Sequence, residues 1–200
     1  VGQRVNWTYI MPNHGITFTR PEGLVGRPIF DGCRNDECLG GTWFQIQSST
    51  GEPTRLSFLH LRIQNYGTAM SFNGNRNDAG ASNGGNRVYG CYFSRIGNIS
   101  NPELNPSTAV IRFVNSDDNI VANSHFVDVI NTRSSGLLHS LYIAHMSDRN
   151  RIERNRFVRN SGDPVRLSAR ALSHERGRGQ SGGRRLGCAG QHRDGSAAEA

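Results

Sequence analysis

The chain has 200 residues, 35% of them hydrophobic, with 24 glycines and a mean hydropathy of −0.56, which suffices for one domain but leaves an ordinary compact core short of apolar material. No stretch approaches the apolar length of a membrane span, and all 23 basic residues are arginine, which excludes a lysine base, a Schiff base or a lysine phosphate anchor. Of the net charge of +7, six arginines against three acids from Ser168 onward leave +4 for residues 1–167, and without an arginine-rich helix, an aromatic RNA-binding motif or zinc-finger spacing this mild excess does not indicate nucleic-acid binding.

Short triplets run through the chain, apolar at the outer positions and mostly polar in the middle: "ITF" (16–18), "FQI" (44–46), "MSF" (70–72), "IRF" (111–113), "YIA" (142–144) and "VRL" (165–167). This period-two pattern predicts six strands whose outer residues face inward. Between the first two triplets, Cys33 and Cys38 lie in the loop-like "DGCRNDECLGG", placed either to close a small disulfide ring in an exported protein or to stay as two thiols. A second set interleaves with the triplets: "SFLHLRI" (57–63), "NRVYGCYF" (86–93), "IVANSHF" (120–126) and "NRIERNRF" (150–157). One register aligns them. Phe58, Val88, Val121 and Ile152 open the unit, at spacings of 30, 33 and 31 residues, and Ile63, Phe93, Phe126 and Phe157 follow five residues later. Gly, Asn and Ser interrupt every candidate helix. Asn123 and Asn155 read as corner residues, because asparagine tolerates a left-handed backbone, and Cys91 reads as a packed core thiol.

Strands recurring about every thirty residues between Asn- and Gly-rich corners are what a parallel β-helix needs, each coil lying about 4.8 Å above the last. The order "GITFTRPEGLVGRPIFDG", "GTWFQIQ", "LSFLHLRIQNYG" resembles the opening coils of right-handed parallel β-helix proteins of the pectate-lyase-like superfamily, and the later units are similar to the generic repeat of polysaccharide lyases. The resemblance covers about residues 10–167. It implies an all-β, right-handed, single-stranded solenoid of about six rungs, a substrate groove on one parallel sheet, and a secreted or cell-surface protein whose signal peptide lies outside this chain. Residues 1–167 form the expected β-helix domain. Residues 168–200 hold no aromatic residue, with Leu172 and Leu186 as their only large aliphatics, and are expected to be a disordered low-complexity tail. A shifted frame through "SHERGRGQSG" can spell a further repeat unit, so the domain is expected to be truncated at its C-terminal end by a frameshift, the alternative being a natural tail. An uncapped end predicts a tendency to associate.

In this register the outward residues form two columns. One holds Thr17, Gln45, Ser71, Arg112, Ile143 and Arg166; the other holds Thr19, Gln47, Asn73, Val114, His145 and Ser168, with Trp43 to one side. Neither column contains a carboxylate, which disfavours the calcium-dependent elimination that the resemblance brings to mind, and leaves paired-acid hydrolysis only the turn residues Asp117, Asp118, Asp148 and Asp163. The candidate catalytic residues are Arg112, His145 and Arg166: the arginines would neutralise the carboxylate beside the acidic carbon of a uronate and His145 would take the proton. Tyr142 could protonate the leaving oxygen, but the alternation turns it inward with Ile111 and Met70. His139 is expected in a loop, and Arg112 either meets substrate or pairs with an acid such as Asp163. Trp43, Gln45, Gln47 and Asn73 are candidate substrate-binding residues, by stacking and hydrogen bonding. The expected partner is an acidic polysaccharide, bound and cleaved by β-elimination or hydrolysis, with no metal or other cofactor, nucleic acid or membrane involved. The alternative is a non-catalytic cell-surface or spike-like binding protein.

Overall fold

The computed structural model describes residues 5–7, 15–35 and 37–168, so the expectations for the tail beyond Ser168 lie outside the described residues. Apart from one 3-10 turn at Ser135–Leu137, the described elements are β-strands. Most of them belong to three parallel sheets. Sheet I contains Val5–Trp7, Thr42–Gln47, Thr68–Asn73, Ala109–Val114, His139–Ala144 and Val165–Ser168. Sheet II contains Thr17–Phe18, Ser57–Leu59, Arg87–Tyr89, Ile120–Ala122 and Arg151–Glu153. Sheet III contains Ile29–Asp31, Arg62–Gln64, Tyr92–Gly97, His125–Ile130 and Arg156–Asn160. From Thr17 the chain passes from sheet II to sheet III to sheet I, then returns to sheet II beside the strand it left one repeat earlier. Parallel sheets stacked in registry in this way are consistent with a parallel β-helix or solenoid.

The sequence repeat becomes the register of sheets II and III. Phe58, Val88, Val121 and Ile152 are paired neighbours, as are Ile63, Phe93, Phe126 and Phe157, and Phe18 and Phe30 extend the two rows by one strand each. Each apolar side chain therefore packs on its equivalent from the previous repeat. The rings of Phe93 and Phe126 stack at 4.9 Å, those of Phe126 and Phe157 at 5.1 Å, and those of Phe18 and Phe58 at 4.9 Å, close to the strand spacing itself. Burial of each such side chain contributes about 1.5–3 kcal/mol. A chain poor in apolar residues can thus fill a narrow, repeated core.

The corners are built by left-handed residues in columns. Gly15, Arg55, Gly85, Asp118 and Arg149 have φ of 66°, 50°, 66°, 54° and 54°, each two residues ahead of a sheet II strand. His60, Gly90, Asn123 and Arg154, at 58°, 63°, 51° and 54°, turn the chain from sheet II into sheet III. Buried asparagines tie successive repeats together at the first corner. Asn119 Nδ2 donates to Asn150 Oδ1 at 2.8 Å, and Asn86 Nδ2 donates to Asn119 Oδ1 at 2.8 Å. At the second corner Asn155 Oδ1 accepts from the Ser124 amide, and Ser124 Oγ accepts from the Cys91 amide. Both asparagines of "NRIERNRF" are thereby explained: each precedes a strand and satisfies backbone of the repeat before it. Cys91 is fully buried, as expected, and burial pushes its thiol up to about 11. Cys33 and Cys38 form a disulfide across a small antiparallel ribbon.

Sheet I departs from the expected register in two places. Residues 16–18 do not supply its first strand; Thr17 and Phe18 pair with Ser57 and Phe58 in sheet II, and Val5–Trp7 occupies the edge beside Phe44 and Ile46. The "LYIA" segment is also shifted by one residue: Leu141 pairs with Ile111, Tyr142 with Arg112 and Ile143 with Phe113. Leu141 and Ile143 go into the core, so Tyr142 and not Ile143 joins the outward column. The two-fold side-chain period makes the one-residue shift exchange faces.

Candidate functional site

The outward column of sheet I reads Gln45, Ser71, Arg112, Tyr142 and Arg166, each residue in register with the next. Beside it run Gln47, Asn73, Val114, Ala144 and Ser168, in a second row whose fourth member is alanine and not His145. His145 follows the strand in a left-handed conformation at φ 52°, in the same position as Asn115 at φ 46° one repeat earlier. An open groove of about 720 Å³ lies over these rows. Its walls include Gln45, Gln47, Asn73, Arg112, Tyr142 and His145, so five of the seven sequence-derived site residues share one surface with the tyrosine that the sequence alternation turns inward.

Two candidates fall elsewhere. Trp43 is 6% exposed and packs against Phe30, Phe44 and Phe58 at ring separations of 4.7–6.1 Å, so it belongs to the core and is no stacking platform for sugar. Strand Thr42–Gln47 buries both Trp43 and Phe44, breaking the alternation on which the outward assignment rested. Arg166 continues the Arg112–Tyr142 column but does not line the groove; its Nη1 reaches Asp163 Oδ2 at 3.4 Å. Tyr142, and not His145, occupies the step between Arg112 and Arg166.

Electrostatically the floor of the groove is unbalanced. Arg112 Nε donates to Ser71 Oγ at 3.1 Å, Ser71 Oγ in turn donates to Asn73 Oδ1 at 3.1 Å, and Arg112 makes no ion pair with any described residue. Burial holds its guanidinium below the ordinary value, the neighbouring Arg76 lowers it further, and Tyr142 acts in the opposite sense. Arg76 likewise has no carboxylate partner among the described residues, and no acid appears in the groove lining. Two guanidinium groups therefore line one groove with no described carboxylate to balance them.

Arg76 was not singled out in the sequence. The available signal was the length of its loop, since residues 74–86 form the longest link between sheets I and II among the described residues and rise along the groove as Gly74, Asn75, Arg76 and Asn77. Asn115 Nδ2 braces this loop by donating to the carbonyls of Asn75 and Asp78 at 2.8 and 2.7 Å.

The turn acids and His139 lie outside the groove lining. Arg149 holds Asp118 through two hydrogen bonds of 2.7 and 2.8 Å, and Asp117 accepts from the Asp148 amide. His139 begins a sheet I strand and is not in a loop: it is 7% exposed, its ring lies 6.0 Å from that of Tyr142, and its Nδ1 accepts from the Asp163 amide. Burial keeps its imidazole below the ordinary value, so it is neutral near pH 7. Among the described residues no group of three or more His, Cys, Asp or Glu side chains is arranged to hold a metal ion.

Comparisons with protein-family models, with curated proteins and with solved structures find no match to this chain.

Proposed function

We propose that this chain is a right-handed parallel β-helix of about six rungs, of the pectate-lyase-like kind, that binds an acidic polysaccharide in the sheet I groove outside the cell. The observation that carries the reading is the Arg112–Arg76 pair on a groove floor without a carboxylate. Such a site is incomplete until an anion enters, and a uronate carboxylate matches the planar fork of a guanidinium. Gln45, Gln47, Asn73, Asn75 and Asn77 supply neutral donors and acceptors for sugar hydroxyls around it. The Cys33–Cys38 disulfide supports an oxidising location.

The chemistry that suits these groups is β-elimination. Arg112 and Arg76 neutralise the uronate carboxylate and so acidify the adjacent carbon. His145 takes the proton from that carbon, the electron pair of the broken C–H bond forms the new C=C bond, and the C–O bond to the leaving sugar breaks as Tyr142 protonates its oxygen. Hydrolysis is less well supported, because it calls for two carboxyl groups flanking the bond and the lining has none.

The test incubates the full chain with polygalacturonate, alginate and glycosaminoglycans, following unsaturated ends by ultraviolet absorbance and new reducing ends separately. Unsaturated products that disappear in Arg112→Gln and drop at least about a hundredfold in Tyr142→Phe support the elimination. Tight binding lost in Arg112→Gln with no turnover on any polymer would identify a non-catalytic binding module. Wild-type affinity and turnover in Arg112→Gln would remove the groove from the function altogether.

A further inference from the structure

Away from the groove, the outer faces of sheets II and III carry a second set of cations that the groove does not use. In sheet III the register aligns Arg62, Tyr92, His125 and Arg156 in one outward column, over the inward row of Ile63, Phe93, Phe126 and Phe157. Across the corner, in sheet II, stand Arg87 and Tyr89, with Arg154 at the corner itself. The guanidinium of Arg62 lies 5.4 Å from the centre of the Tyr92 ring, and that of Arg87 lies 4.8 Å from the centre of the Tyr89 ring. The His125 ring flanks Tyr92 at 5.9 Å, and His60 meets Tyr89 edge-on at 5.7 Å.

Two of the acids nearby are already paired: Glu153 with Arg151, and Asp128 bidentately with Arg159, while Asp31 accepts from the neutral donors of Gln64, Asn65 and the Cys33 amide and has Arg62 as a neighbouring positive charge beyond ion-pair distance. Arg62, Arg87, Arg154 and Arg156 make no ion pair with any described residue, and the buried Nε of Arg62 has no hydrogen-bond partner. None of these residues lines the sheet I groove.

We infer that the outer face of sheets II and III is a second binding site for an acidic polysaccharide, recognised by its carboxylate or sulfate groups and laid along the stacking direction. Arg62 and Arg156 are three register steps apart, about 14 Å at the strand spacing, so they contact successive anionic groups of an extended chain and not one compact anion. The tyrosines are not free platforms for bases: an arginine and a histidine ring flank each of them, so each ring seats a guanidinium group that meets the ligand. That arrangement favours a polymer recognised by charge over a nucleic acid recognised through stacked bases. The inference does not depend on the reaction assigned to the groove, and a protein with both sites would hold an anionic matrix on one face while working on a strand at another.

The experiment measures fluorescence anisotropy of labelled heparin, labelled polygalacturonate and a labelled oligothymidylate with the full chain. The groove is first disabled by Arg112→Gln together with Arg76→Gln. The disabled protein is expected to keep binding at least one of the two polysaccharides, and adding Arg62→Gln and Arg156→Gln is expected to weaken that binding roughly tenfold or more. Heparin and polygalacturonate distinguish sulfate from carboxylate as the preferred group. Arg156→Gln alone, at an exposed position, gives a smaller loss in the same direction and covers the case in which replacing Arg62 disturbs folding. Loss of all polysaccharide binding in the groove-disabled protein overturns the inference, as does unchanged binding in Arg156→Gln or tighter binding of the oligonucleotide than of either polysaccharide.

Discussion

Asn119 shows how much a single polar side chain carries in this fold. It is fully buried, its amide and Nδ2 both donate to Asn150 Oδ1, and its Oδ1 accepts from the amide and Nδ2 of Asn86. Three consecutive repeats meet at one residue. Replacement by alanine leaves the amide and Nδ2 donors of Asn86 buried without an acceptor, so Asn119→Ala is expected to lower stability by about 3 kcal/mol, measured as a shift in the urea midpoint at unchanged slope. Arg112 is the contrasting case, since burial and the neighbouring Arg76 both disfavour its charged form.

At the scale of the element, the two-residue corner between sheets II and III sets the register of both. Asn123 occupies its left-handed position at φ 51°, where a β-branched side chain is strained. Asn123→Val is therefore expected to cost about 1–2 kcal/mol, while Asn123→Gly stays close to wild type, with thermal melts as the measurement. This tight corner is also why sheets II and III were legible in the sequence. Phe58 to Ile63, Val88 to Phe93, Val121 to Phe126 and Ile152 to Phe157 all span five residues, so the spacing of the repeat is the spacing of the structure. Sheet I was only partly legible because the links that lead into it vary in length, from residues 65–67 in one repeat to 98–108 in another, and no constant offset carries the register across. In "LLHSLYIA" the alternation admits two phases, and the one with Leu141 and Ile143 inside wins because it buries two aliphatic side chains against Ile111 and Phe113 while leaving the tyrosine hydroxyl in the groove. Trp43 escaped the pattern because a ring that large turns into the corner beside Phe30, which the alternation of its own strand cannot indicate. The groove residues Gln45, Gln47, Asn73 and Arg112 were found from strand pattern alone, whereas Arg76 sits in a loop whose path only the fold determines.

For the whole molecule, stability accrues by repeats, each contacting the one before and the one after. The strands at Arg151–Glu153, Arg156–Asn160 and Val165–Ser168 contain no buried residue, while Met70, Phe93, Ile111 and Phe113 are fully buried. Because every strand meets its own equivalent one repeat back, the fold also has a grammar for insertion and deletion. Excising residues 120–150 joins Asn119 directly to Arg151, restoring the junction of a corner asparagine with a sheet II strand, since Asn119 and Asn150 stand 31 residues apart at equivalent positions. The shortened protein is expected to retain a β-type circular dichroism spectrum and cooperative unfolding, whereas excising about half that length is expected to abolish both by throwing every later strand out of phase. The same cut removes Tyr142 and His145 and shortens the groove by one step of about 4.8 Å. Length of the groove and length of the gene are thus coupled: recombination in whole units can lengthen or shorten the open face of sheet I without designing a new core.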